Sequence, residues 1–432
     1  MLPRCKNFNQ KISTKELQLK NINQRTSNML SHILKLPVIV LAFHAASTSS
    51  QKSASPLMSR RLTEYLLPNA TTHEFARVPN TNFVLLSQMS SSQLLKIQLD
   101  PTTKAPIALK AFPMGSSSKS GLHGVWPSAL YPGRMWLTLQ NDNKLLLVDP
   151  GSDLATAPAI IQNVTIPAPG KGPHGVFELG NRVWAGLKDA SPQTKQYYVF
   201  SANIANNIAK ATDPKLYPCL NSPVFIVKDP ATRLIYVTQD TASSIMSINI
   251  TSGKMAQLRI PPQIGSTPVG MVTISSPSPK NMRGVWFTLA GNAKGGSGSF
   301  GRITSTGKLQ FFQLKKPLLG TNAGLLHLAD ASSGPGDPAL WLLSTSLLST
   351  SSADALIRVT FDAAVTKIIG EEYIAMLSQN AMVHRVVPLD ATVLVSELNT
   401  FSLAQLSYNN TVAGQWLPAK TIGTPELSTK DD

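Results

Sequence analysis

A unit of about fifty residues recurs seven times along this 432-residue chain, and no other feature restricts its folding so strongly. Each copy carries a turn with Gly, Pro or His, a short apolar strand, a second strand centred on an aromatic or aliphatic residue, and then two further strands. The second strands read Val84-Leu85-Leu86-Ser87, Trp136-Leu137-Thr138-Leu139, Trp184-Ala185-Gly186-Leu187, Tyr236-Val237-Thr238-Gln239, Trp286-Phe287-Thr288-Leu289, Trp341-Leu342-Leu343-Ser344 and Leu394-Val395-Ser396-Glu397. Their first residues are separated by 52, 48, 52, 50, 55 and 53 positions. Four short strands with their turns fill about fifty residues, which is one propeller blade. The spacing therefore predicts an all-β, seven-bladed β-propeller of four-stranded blades around a central channel, spanning 63–418. The Trp and Tyr residues of the second strands are expected as core between adjacent sheets. Ring closure requires the two ends to meet, and either Tyr65-Leu66-Leu67 or Gln415-Trp416-Leu417 can supply the last strand.

Composition agrees with a β-rich, turn-rich chain, since only 14% of residues are charged. The net charge of +16 is unevenly placed: seven Lys and Arg residues and one acid lie in residues 1–47. The remaining bases are scattered instead of forming a basic stripe with aromatics, so no nucleic-acid partner is expected. Leu36–Phe43 is a short apolar run that follows Lys35 and precedes His44-Ala45-Ala46-Ser47. It is too short to span a bilayer and has the order of a secretory signal, a mitochondrial presequence being the alternative. Residues 1–47 are thus read as an extension with a signal, 48–62 as a Ser-rich linker ending near Arg60-Arg61, and 419–432 as a disordered tail. A secreted protein without stable membrane insertion follows. The sequons at Asn69, Asn163, Asn249 and Asn409 agree with a glycoprotein. Beyond the signal only Cys219 remains, which excludes an intrachain disulfide in the mature chain. A self-closing ring also predicts a monomer.

The fifth unit reads Gly284-Val285-Trp286-Phe287-Thr288, then Phe300-Gly301-Arg302-Ile303-Thr304, Gly307-Lys308-Leu309 and Phe311-Phe312, and the third contains Gly172-Pro173-His174-Gly175-Val176. These segments resemble the blade repeat and the P-H-G-I turn of the streptogramin B (virginiamycin B) lyases, over roughly residues 63–418. The resemblance implies a propeller enzyme that opens a cyclic depsipeptide by elimination across its ester, with a divalent metal, a general-base His and Glu residues at second-strand ends. The corresponding positions here are Gln88, Leu139, Leu187, Gln239, Leu289, Ser344 and Glu397, so only Glu397 keeps a carboxylate.

Alignment of the innermost-strand turns places His73, His123, His174 and His384 at equivalent positions in units one, two, three and seven, with Val224, Val269 and Gly324 in the others. Those four units are consecutive once the ring closes. A lone His beside a Gly or Pro turn is ordinarily a turn or core residue, whereas four in register at a channel mouth suit a divalent metal, either Mg or a His-liganded transition metal. The metal candidates are His73, His123, His174 and His384. For proton transfer they are His174 and His123 as bases with Glu397, expected on the same rim, as partner. His327 falls three positions past this register and is read as structural. There is no G-x-S-x-G elbow, Walker loop, dinucleotide fingerprint, H-E-x-x-H or C-x-x-C, and the Gly-rich stretch 291–301 has no helix to receive a phosphate.

Three functions follow from this reading. The first is a secreted lyase-like enzyme acting on a cyclic or lactone-type natural product at the channel mouth. The second is a secondary-metabolite cyclase or Diels-Alderase-like enzyme on the same scaffold, in which an apolar pocket orients the reacting groups. The third is a non-catalytic secreted binding propeller.

Overall fold

The computed structural model describes residues 61–407, except 205–209, 316–323, 334–335, 350–351 and 391, together with 420–421. The signal segment, most of the linker, Gln415-Trp416-Leu417 and the sequon at Asn409 lie outside the described residues. Seven antiparallel sheets follow one another along the chain, and six of them are four-stranded in simple sequential order. Blade one runs through Thr72–Arg77, Phe83–Gln88, Gln93–Leu99 and Pro106–Pro113, and blades two to six open on Leu122–Pro127, Pro173–Leu179, Pro223–Lys228, Pro268–Ile274 and Leu325–Asp330. The expected all-β propeller of seven four-stranded blades is therefore what the chain forms. Among the described residues no helix is long and apolar enough to cross a membrane.

Blade seven combines Val383–Leu389, Thr392–Glu397 and Ser402–Ser407 with Arg61–Leu66 from the other end of the chain. Arg61–Leu66 pairs antiparallel to Ser402–Ser407, with Thr63 opposite Gln405. Of the two closures open in the sequence, the N-terminal segment supplies the strand. Lys420–Thr421, within the segment read as a tail, lies parallel on its outer side.

Seven buried apolar clusters correspond to the seven junctions between blades. Trp136 of blade two packs with Val176, Val183 and Phe200 of blade three. Trp286 of blade five packs with Leu325, Leu328 and Ile357 of blade six. Trp184, Tyr236 and Trp341 make the same step, each into the following blade. At the seam, Leu394 of blade seven packs against Phe75, Leu86 and Leu95 of blade one. In blade one this place belongs to Leu85, one residue after Val84, and Leu85 packs with Leu137 and Leu146 of blade two. The aromatics are core, as expected, because a flat sheet face can be covered only by the next sheet.

Every innermost strand contains a register shift near its start. In blade one, Thr72 pairs with Gln88 and Phe75 with Leu86, so His73 and Glu74 together face Ser87. This is a β-bulge, which re-aims side chains where it occurs. A hydroxyl secures it. Glu74 N–H donates to Ser87 Oγ (3.1 Å), and Ser87 Oγ donates to the His123 carbonyl of blade two (2.6 Å). Thr138, Thr238, Thr288 and Ser396 reach the carbonyls of His174, Val269, Leu326 and His73 in the same way, at 2.7–2.9 Å. Blades three and six carry Gly186 and Leu343 at this position and have no such hydroxyl.

Candidate functional site: a histidine arc at the channel mouth

The bulge fixes where each site residue sits. His73, His123, His174 and His384 each follow the residue paired with the end of their second strand, and all four rings gather at one mouth of the channel. They form a continuous arc across the seam: ring centroids are 3.9 Å apart for His384 and His73, 3.9 Å for His73 and His123, and 3.6 Å for His123 and His174. Rings two places apart stand 6.3–6.4 Å from one another. The four therefore stand in file, neighbouring planes tilted by 38–59°, and do not converge on one point. His123, His174 and His384 are buried and His73 partly so. The glycine after His123 and the one after His174 have a steric cause. A Cβ on Gly124 would lie 2.4 Å from the His174 carbonyl, and one on Gly175 would lie 2.5 Å from that of Val224.

Burial holds His73, His123 and His174 well below the ordinary imidazole pKa, and mutual repulsion between the charged forms pushes the same way: His123 and His384 on His73, His174 and Lys188 on His123, Lys188 and His73 on His174. These rings are neutral at physiological pH, the form able to accept a proton or bind a metal. Lys188, directly after the second strand of blade three, places its Nζ 3.3 Å from His174 Nε2.

At the next position along the bulge two opposite charges meet across the seam. Arg385 Nη1 of blade seven lies 3.1 Å from Glu74 Oε2 of blade one, and His384 Nδ1 lies 3.3 Å from Glu74 Oε1. Burial alone would raise the Glu74 carboxyl, but Arg385 and His384 outweigh it and hold it below its ordinary range. His73, Glu74 and His384 can each offer one ligand atom, all within 4.8 Å of one another, and form a group able to hold a metal ion. Of the four histidines expected as ligands, two belong to this group. His123 and His174 instead line the adjoining pocket with Glu74, Trp126, Phe225 and Arg385. Its free space of about 20 Å³ admits roughly one water.

Glu397 stands apart from the arc. Its strand neighbour Ser396 points at blade one, and side chains alternate along a strand, so Glu397 faces the opposite side of the sheet. There it is fully buried, accepts a hydrogen bond from Thr400 Oγ1, and is pushed up to about 9 by burial and by the Glu64 and Asp354 carboxyls. Unit six needs a register correction. Leu325 pairs with Ser344, so Leu326, not Gly324, is equivalent to the four histidines. His327 lies one place past the register. It occupies the position of Glu74 and Arg385, buried against Phe225 with ring centroids 5.3 Å apart. The sequence reading missed Glu74, Arg385 and Lys188, although the first two were visible as opposite charges directly after His73 and His384.

Neither a family model nor a curated protein matches the chain. Solved structures do. Virginiamycin B lyase from Staphylococcus aureus is 18% identical, with a TM-score of 0.59, covering 81% of this chain and 99% of that one. A catalytically inactive variant of that enzyme with quinupristin gives 17% and 0.60 over the same shares. The WD40 repeats of RRP9 and YCF48 bound to a peptide are similar at 8% and 12% identity, with TM-scores of 0.54, each covering 82% of this chain and 99% of the other. At these identities the likeness extends to the propeller fold, and virginiamycin B lyase is among the structures this chain resembles in it.

Proposed function

We propose that the protein is a lyase-like enzyme that works at the mouth of the propeller channel on a cyclic or lactone-type natural product. The observation that carries this reading is the arc of four register-equivalent imidazoles, of which burial keeps His73, His123 and His174 neutral, in a site that also holds Lys188 and the Glu74–Arg385 pair. The fold shared with virginiamycin B lyase supports it. The inner pocket admits about one water, so the substrate lies over the mouth with only its reacting edge inside.

In this scheme neutral His174 takes a proton from the carbon beside a carbonyl. The electron pair of that C–H bond forms a C=C bond, and the ester C–O bond breaks to release a carboxylate that stays tethered in the opened ring. Lys188, beside His174, favours the anionic charge that develops, and His123, whose ring packs 3.6 Å from that of His174, limits the movement of the base. Glu397 has no place in these steps because its carboxyl faces Glu64 and Asp354. His73, Glu74 and His384 would hold a divalent metal, which when bound supplies a Lewis acid for a carbonyl oxygen. The secretory route belongs to this proposal, and the exposed Asn163 and Thr165 of one sequon and the exposed Asn69 of another support it.

Incubation of the purified chain with a streptogramin B depsipeptide and a panel of macrolactones tests this by mass spectrometry. Elimination opens a ring without changing its mass, while hydrolysis adds one water. A ring-opened product of unchanged mass is expected, with turnover reduced about 10²–10⁴-fold in His174→Ala. Ligand binding without any product would replace the lyase by a binding propeller, and a product with a new carbon–carbon bond would favour the cyclase.

A further inference from the structure

We infer that His73, Glu74 and His384 form a transition-metal site that pins the seam of the propeller, so that metal occupancy and ring closure are one equilibrium. The inference rests on the metal placed at that site above, but not on any reaction there.

The location carries the first part. The seam is the one junction where the two blades come from opposite ends of the chain: His384 lies on Val383–Leu389 of blade seven, and His73 and Glu74 lie on Thr72–Arg77 of blade one. Five residues, Leu67 to Thr71, separate blade one from Arg61–Leu66, the strand that completes blade seven. A metal bound by His384 on one side and by His73 and Glu74 on the other would tie the two ends of the chain together a second time, beside the pairing of Arg61–Leu66 with Ser402–Ser407. The bridge would join contacts that cross at the same place: Arg385 to Glu74, Ser396 Oγ to the His73 carbonyl at 2.7 Å, and the His384–His73 ring contact.

The chemistry of the donors carries the second part. His384 Nδ1 and Glu74 Oε1 have only each other, at 3.3 Å, and Nδ1 of His73 is a buried atom without a hydrogen-bond partner. Buried polar atoms are ordinarily paired, and an unpaired imidazole nitrogen in a group whose ligand atoms all lie within 4.8 Å of one another marks a place able to take a ligand. Arg385 occupies Oε2, so Glu74 has a single oxygen to offer. Two imidazoles and one carboxylate oxygen suit Zn²⁺, Fe²⁺, Co²⁺, Ni²⁺ or Cu²⁺ and leave coordination positions open. Mg²⁺ and Ca²⁺, which take oxygen-rich shells, are poorly served by this set. A ligand that binds only the closed ring stabilises it by mass action, and removing it favours opening.

The test uses the full chain without an affinity tag, stripped with EDTA and desalted. Metal retained after addition of Zn²⁺ or Mg²⁺ is measured by mass spectrometry, and the melting temperature by calorimetry. The expected result is about one retained Zn²⁺ per chain and a rise of a few degrees at roughly a hundredfold excess over Kd, with no rise from Mg²⁺. His384→Ala and Glu74→Gln should abolish the rise, and His174→Ala should keep it. Each variant is compared with its own melt in EDTA. If His384→Ala does not fold, the isosteric Glu74→Gln decides. No retained Zn²⁺ and no rise, a rise that survives Glu74→Gln, or one lost equally in His174→Ala would overturn the site. A rise without turnover of any lactone would remove only the lyase reading, whereas EDTA-resistant turnover without a rise would remove only the seam site.

Discussion

Glu397 shows how a single residue can leave the site that its sequence position suggests. Its Cα is opposite Val383, next to His384, yet its side chain is carried to the far face of the sheet. Burial is the larger cause of its raised pKa of about 9, and the Glu64 carboxyl adds to it. In the unfolded chain the same group titrates near 4.3. The folded state therefore retains a proton that the unfolded state releases, and the associated stability is complete below about pH 4, declines as pH rises, and is gone above about 9. Glu397→Gln replaces the proton-bearing carboxyl with a neutral group of the same shape. Its stability relative to the parent chain should grow by about 2–4 kcal/mol between pH 5 and pH 8 in denaturant titrations. A constant difference across that range would mean the carboxyl is ionised when buried.

Within the blades, the hydroxyl on the penultimate residue of a second strand does two jobs. Thr138 Oγ1 accepts from Gly124 N–H at 2.7 Å and donates to the His174 carbonyl at 2.9 Å, so one oxygen closes the bulge of blade two and anchors that of blade three. Thr138→Val keeps the shape but leaves a buried donor and acceptor unpaired. A loss of about 2–4 kcal/mol is expected by chemical denaturation, with Thr138→Ser close to the parent. Sequence legibility divides along this line. The second strands were readable because each must bury one large residue against the next blade, which leaves a Trp or Tyr in five of the units and a Leu in blades one and seven. The bulges were not, because their cause is a carbonyl on a neighbouring blade and no local propensity encodes it. The glycines after His123 and His174 are a trace they leave, but Leu325-Leu326-His327 carries neither a glycine nor a histidine at the register position, so nothing local marks the bulge of unit six. The histidines could be grouped from the repeat alone, but that they stand in file, with only two in the group with Glu74, depends on ring orientation.

For the whole molecule, both ends of the chain offered a candidate closing strand, and the repeat could not choose between them. Arg61–Leu66 closes the ring with more than backbone pairing. Leu62 enters the core between blades six and seven, Tyr65 enters the core at the seam, and Glu64 accepts from Ser378 N–H and Oγ. Loss of this strand would expose the edge of Ser402–Ser407 and uncover two clusters at once, while blades two to five would keep every partner. Deletion of residues 1–67 should thus lower the melting temperature by far more than the few degrees expected of one buried side chain, and should promote concentration-dependent association through the open edge. A peptide of residues 61–67 added in trans should restore much of the loss, since it supplies both the hydrogen-bonding edge and the buried Leu62 and Tyr65. If the truncated chain melts like the parent, or the peptide has no effect, closure must reside in blades one and seven themselves. The histidine arc would then be held by the bulges without help from the N-terminal strand.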